Sequence, residues 1–141
     1  MSIGLAMREI ANALPPMMPK VYEHFFDELP NECVGMIWAD GLVTRLVNQA
    51  RAPDRFSVGL PLLAEKLGER EGVIIAIYHS HPNGSVRLSS HDEVSMRGQW
   101  RRDIPIPWLL VTEDSSRLWY PEGPVLANLA IGVGQSGLVQ V

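Results

Sequence analysis

The sequence has one cysteine, no apolar run of membrane-spanning length and no excess of positive charge. Each shortage removes a class of protein. A lone thiol, Cys33, cannot close an internal disulfide, which sets aside a cross-linked secreted scaffold and fits a reducing compartment. The most apolar tail segment, Val125 to Val133, is shorter than the roughly 20 residues a spanning helix needs and contains Asn128 and Gly132. Arg8 and Glu9 interrupt the apolar positions of Met1 to Leu14, and the A-x-A pattern of Ala11 and Ala13 follows no basic segment, so no signal peptide is expected. Twelve Lys and Arg against sixteen Asp and Glu give a net charge of -4, a field that repels nucleic acid and anionic membranes and mildly favours a basic partner surface. The expected location is the cytoplasm, with neither nucleic acid nor membrane as partner. Internal repeats and low-complexity tracts are missing too.

What is present suits one ordinary domain: 141 residues, 46% of them hydrophobic, can bury a substantial core. Pro15, Pro16 and Pro19 punctuate the start, so residues 1–20 are expected to form an appendage and residues 21–141 the domain. Val21, Tyr22, Phe25, Phe26 and Leu29 recur at helical spacing up to Pro30. Cys33 to Ala39 has the length and composition of a strand, Asp40-Gly41 is a hairpin signal, and Leu42 to Asn48 reads as the returning strand. A loop over Ala50 to Asp54, a short strand at Phe56 and Val58 and a helix over Pro61 to Arg70 are expected next. Val73 to Tyr78, rich in β-branched residues, has the character of a central strand buried on both faces. A Pro-, Gly- and Ser-rich loop, a helix from about His91 to Trp100 with a capping-box pattern in Ser90 and Glu93, and strands at Trp108 to Thr112 and Leu118 to Tyr120 complete the core. Strands mixed with three helices indicate an α/β or α+β domain with a helix-covered sheet. Trp119 to Val141 reads as an added strand, a dimer contact or a mobile tail.

Chemistry concentrates at Tyr78-His79-Ser80-His81-Pro82 and at Asp92 beyond the loop. Residues two apart in a strand point to the same side, so His79 and His81 can present both imidazoles to one ion. If the loop turns the chain back, Asp92 near the start of the next helix adds a carboxylate. Two imidazoles and a carboxylate form a ligand set zinc accepts, with the fourth tetrahedral position left for water, the mark of a catalytic site. Glu32, between the first core helix and the first strand, is the candidate general base. Ser89 or Ser90 is the candidate donor to an oxyanion.

Glu32, His79-Ser80-His81-Pro82 and Ser89-Ser90-His91-Asp92 together resemble the JAMM (MPN-plus) metalloprotease motif: E, then H-[ST]-H-P, six or seven residues, then S-x-x-D. The resemblance extends from roughly Val21 to Tyr120, and includes Asn48 in the second strand. It implies zinc ligands at His79, His81 and Asp92, a general base at Glu32 and the oxyanion serine at Ser89. It also implies a three-layer α/β fold related to the cytidine deaminases, with a central mixed β-sheet flanked by helices. The implied activity is that of a zinc peptidase or isopeptidase cleaving after the C-terminal glycine of a ubiquitin-like or sulfur-carrier β-grasp protein.

Plainer roles compete at each position. His79 and His81 could be strand histidines satisfied by ordinary hydrogen bonds. Asp92 could simply favour a helix dipole, Ser89 or Ser90 could cap the helix, and Glu32 could be a surface carboxylate. Cys33 could close the zinc sphere as a thiolate and make the site structural, although a small buried core residue is the expected role. His91 and His24 read as helix-surface residues. Trp100, Trp108, Trp119 and Tyr120 read as core more readily than as groove lining. A non-catalytic scaffold or phage-tail assembly module is the rival function. A nucleobase deaminase would need H-x-E with P-C-x-x-C, and neither occurs.

Overall fold

A computed structural model describes residues 3–48, 72–82 and 84–131. The loop, strand and helix expected between Ala50 and Arg70 lie outside the described residues, as does the end of the tail. Three α-helices are described: α1 (Ile3–Ala13), α2 (Met18–Glu28) and α3 (Ser90–Arg101). The strands are β1 (Val34–Trp38), β2 (Val43–Leu46), β3 (Ile74–Ser80), β4 (Trp108–Val111), β5 (Ser116–Glu122) and β6 (Val125–Ala130). They form one mixed sheet in the order β2-β1-β3-β4-β5-β6, in which β3 and β4 run parallel and all other neighbours antiparallel. The fold is α/β. Helix α3 supplies the crossover that a parallel β3–β4 pair requires.

Alternation along the strands builds two cores, one on each face. Ile37, Ala76, Tyr78, Leu109, Val111 and Leu118 pack with Val21 and Phe25 of α2 and with Met7 and Ala11 of α1. Val34, Met36, Trp38, Ile77 and Trp108 pack against Met96 of α3. Neighbouring residues of β3 therefore serve opposite layers, Tyr78 the α1/α2 side and Ile77 the α3 side. The tight approach of β1 and β3 depends on Gly35, where an added Cβ would lie 2.3 Å from the Tyr78 ring. The hairpin expected at Asp40-Gly41 is present: Gly41 has φ +96, and Val34 pairs with Leu46.

The described part of residues 1–20 packs into the domain where an appendage was expected. α1 packs on β5 and β6, and Met7, Ala11, Leu14 and Met18 are buried in the core. The prolines do end the first helix, since α1 stops at Ala13; Pro15 then opens a short 3-10 turn and Pro19 sits in the first turn of α2. There a missing N–H costs nothing and the restricted φ suits the helix. The first of the three readings of the tail holds for its described part, since β6 pairs along β5 from Val125 to Ala130. Among the described residues, no helix is long and apolar enough to cross a membrane.

Candidate metal centre

The antiparallel register of β1 on β3 assembles the site. Val34 lies opposite His79, and the Ser80 N–H donates to the Cys33 carbonyl at 3.1 Å. Stepping back from Val34 to Glu32 and forward from His79 to His81 stays on the same face by the period of two. Glu32 is thereby brought to the histidines although 47 positions of chain separate it from His79. One ligand atom each from Glu32, His79 and His81 lie within 4.8 Å of one another. Asn48 braces this end of β1, its Nδ2 donating to the Glu32 carbonyl at 2.9 Å. On the opposite face the Ser80 Oγ accepts the Cys33 N–H at 2.8 Å, which closes the same strand end from behind.

Asp92 arrives from the other direction. After His81 the chain turns at Gly84, whose N–H donates to the His81 carbonyl at 2.9 Å. A Cβ there would meet the His81 Cβ at 2.9 Å, so the turn needs a residue without one. Ser89 then caps α3: its Oγ accepts the Asp92 N–H at 3.0 Å, and its own N–H donates to Asp92 Oδ2 at 3.1 Å. The capping box is therefore Ser89 with Asp92, not Ser90 with Glu93, because α3 begins at Ser90, a residue earlier than its expected start. The cap aims the carboxylate. Asp92 Oδ2 lies 3.3 Å from His79 Nε2 and 3.0 Å from His81 Nε2.

These contacts decide what can occupy the centre. His81 Nδ1 faces the Ser85 carbonyl at 3.0 Å, and a carbonyl only accepts, so Nδ1 carries the hydrogen. In the neutral ring Nε2 then turns a lone pair toward a carboxylate oxygen 3.0 Å away. Two lone pairs that close require a positive centre between them, either a proton on the ring or a metal cation. The protonation preferences agree. Burial pulls the His81 pKa down, but the Asp92 hydrogen bond and the Ser85 carbonyl outweigh it and leave the net shift upward. Burial dominates at fully enclosed His79 and lowers its pKa, which favours the neutral ring a metal needs. Burial alone would raise the Asp92 pKa, yet hydrogen bonds from His79 and His81 hold the carboxyl well below its usual range. Bonds of about 2.0–2.1 Å to zinc place tetrahedral donors roughly 3.3 Å apart, close to the 3.3 and 3.0 Å between Asp92 and the two histidines. The donor set fits zinc.

The remaining residues are sorted by burial. The Cys33 thiol is enclosed in the apolar core of the α1/α2 side, where burial pushes its pKa up to about 12, so it is a core residue rather than a ligand. His91 is exposed, as expected. His24 is not: it is 1% exposed, with Nδ1 2.6 Å from the Tyr78 hydroxyl and Nε2 3.5 Å from Glu28. A polar residue type suggested the surface, and its buried partner, 54 positions along the chain, carries no local signal. Trp108 and Tyr120 are core, while half-buried Trp119 donates to the Val86 carbonyl at 2.9 Å and so tethers the loop that follows the histidines. Trp108 also packs edge-on against His79, ring centres 5.3 Å apart. Asn48, Ser85 and Trp119 act on the site through backbone carbonyls, contacts that residue spacing cannot disclose.

Residues 15–121 match the family model described as prokaryotic homologs of the JAB domain. No curated protein matches the chain.

Proposed function

This chain belongs to the family of prokaryotic homologs of the JAB domain, and from that premise we propose that it is a zinc-dependent hydrolase of peptide or isopeptide bonds. The observation that carries the reading is that His79 Nε2 and His81 Nε2 both lie within 3.3 Å of Asp92 Oδ2, with the Glu32 carboxylate beside the two imidazoles. The two carboxylates divide the work. Asp92 stands at ligand spacing and is held ionised. Glu32 brings a carboxylate oxygen within 4.8 Å of a ring nitrogen of each histidine, close enough to act as a base on a water between it and the ligands.

Zinc held by His79, His81 and Asp92 would lower the pKa of a water at its open position from about 15.7 to roughly 7 and polarise the scissile carbonyl. Glu32 takes a proton from the attacking water as the new C–O bond forms. It then delivers that proton to the amine as the C–N bond breaks, so the residue ends the cycle as it began. Ser89 keeps its O–H free to donate while its oxygen caps α3, and its exposed position lets the hydroxyl meet the developing oxyanion. The Ser85 carbonyl and Trp108 keep the two imidazoles in orientation.

The substrate class that fits the resemblance is a ubiquitin-like or sulfur-carrier β-grasp protein, cut after its C-terminal glycine. Its tail would lie extended along a sheet edge, main chain to main chain. The test is to measure the zinc content of wild type and Glu32→Gln, then incubate each with β-grasp proteins extended beyond Gly-Gly, with and without chelator, and read masses. Both should carry about one zinc, and only wild type without chelator should cut, the variant being slower by roughly 10²–10⁴-fold. Equal turnover at equal zinc content overturns the base assignment. Purification without stoichiometric zinc overturns the hydrolase and leaves a scaffold or assembly module.

A further inference from the structure

The acidic balance of the chain is reversed along the second half of α3, where Arg97, Arg101 and Arg102 fall within two turns. Among the described residues no carboxylate pairs with any of the three; the ion pairs lie at His24, at Arg45 and at the site histidines. Glu93, one turn before Arg97, and Glu122, beside the β5–β6 turn, are exposed and make none with them. A cavity of about 280 Å³ opens here, lined by Arg97, Trp100, Arg101, Pro121 and Gly123. Its walls are held in place. Arg97 Nη2 donates to the Pro124 carbonyl at 2.9 Å and Nη1 to the Gly123 carbonyl at 3.4 Å, and the Trp100 indole N–H donates to the Ile106 carbonyl at 3.0 Å. The helix dipole accounts for Arg101 in the last turn. It does not account for Arg97, whose charge two carbonyls orient without neutralising.

We propose that this cavity anchors an acidic side chain of the protein substrate, so that α3 reads the folded body while the metal centre takes its tail. The cavity falls just below the roughly 300–1,000 Å³ of small-molecule sites, which suits one side chain better than a cofactor. Two guanidiniums match a carboxylate, Trp100 and Pro121 receive its apolar stem, and Arg and Trp are the residue types that anchor protein interfaces. The net charge of -4 opposes a polyanion such as nucleic acid and by itself favours basic partner surfaces, so the attraction is local, to one carboxylate at the cavity. Arg97 and Arg101 lie about 8 and about 14 Å along the helix axis from Asp92, within the span of one small folded partner.

The inference rests on the proposed hydrolysis, and two readouts separate their failures. Zinc-loaded wild type, Arg101→Glu, which forfeits no side-chain hydrogen bond among the described residues, and Arg97→Glu/Arg101→Glu are assayed on an acidic β-grasp protein extended beyond Gly-Gly and on a free peptide of the same terminal sequence. We expect KM for the protein to rise at least about tenfold in the double variant, with kcat unchanged, the peptide unaffected and the salt dependence of KM reduced. Equal KM in all three, or an equal loss on the peptide, overturns the inference. Independently of turnover, the Glu32→Gln chain is titrated with the same β-grasp protein by calorimetry. Binding that Arg101→Glu weakens supports the cavity even if no cleavage occurs, whereas absent binding, or binding the substitution leaves intact, overturns it.

Discussion

The two faces of the sheet bury polar groups in opposite ways. On the α1/α2 side the single buried histidine, His24, meets one hydroxyl and one carboxylate at the edge of an otherwise apolar core. On the α3 side two histidines and two carboxylates gather at one strand end. Withdrawing ionised groups from water costs several kcal/mol each, and well-packed apolar residues would serve stability better. One face is arranged for the fold, the other gathers groups that can hold a cation. β3 belongs to both: Tyr78 completes the first arrangement and His79 the second.

The largest test of this contrast is Asp92→Ala. Zinc content should fall to background, with hydrolysis reduced at least as far as the 10–100-fold typical of losing an outer partner of a ligand; elemental analysis and the cleavage assay read both. Next comes Gly35→Ala on the opposite side. The new Cβ would stand 2.3–2.4 Å from Tyr78 ring atoms, and displacing the ring from His24 should cost about 1–3 kcal/mol in denaturant unfolding while zinc content stays near one. Loss of zinc as well would show that the faces are coupled through β3 and break the contrast.

Ser89→Ala bridges the two roles. Loss of the cap should cost about 0.5–2 kcal/mol, and loss of the oxyanion donor should lower kcat by roughly 10²–10³-fold. A stability change with kcat intact would leave Ser89 as a cap alone. The smallest effect is expected from His24→Gln. Burial, then the Arg45 charge, lowers the His24 pKa from 6.5. The unfolded chain thus takes up this proton first as pH falls, so wild-type stability declines from about pH 6.5 downward until the folded pKa is passed. Denaturation at about pH 7.5 and pH 5.5, at matched zinc loading, should show a shallower decline in the variant; parallel declines would remove His24 as the source.

Much of this was legible beforehand because it is local. The β-branched run at Val73 announced the central strand, Asp40-Gly41 the hairpin, and the spacing of Val21, Tyr22 and Phe25 the buried side of α2. The misreading of His24 has a non-local cause. It looks polar until Tyr78 is beside it, and that neighbour, 54 positions along the chain, lies outside any sequence window.

By itself the sequence determined the donors and their local aim: the two-residue step that lets His79 and His81 face together, and a serine three residues before Asp92 that can cap a helix and orient the carboxylate. Backbone geometry within one strand or one helical turn sets those relations wherever the segment sits. Only the tertiary structure decided that Glu32 stands beside the imidazoles and that Cys33 stays away in the core. That outcome depends on which residue of β1 hydrogen-bonds to which residue of β3, and a slip of one position would send Glu32 to the other face of the sheet.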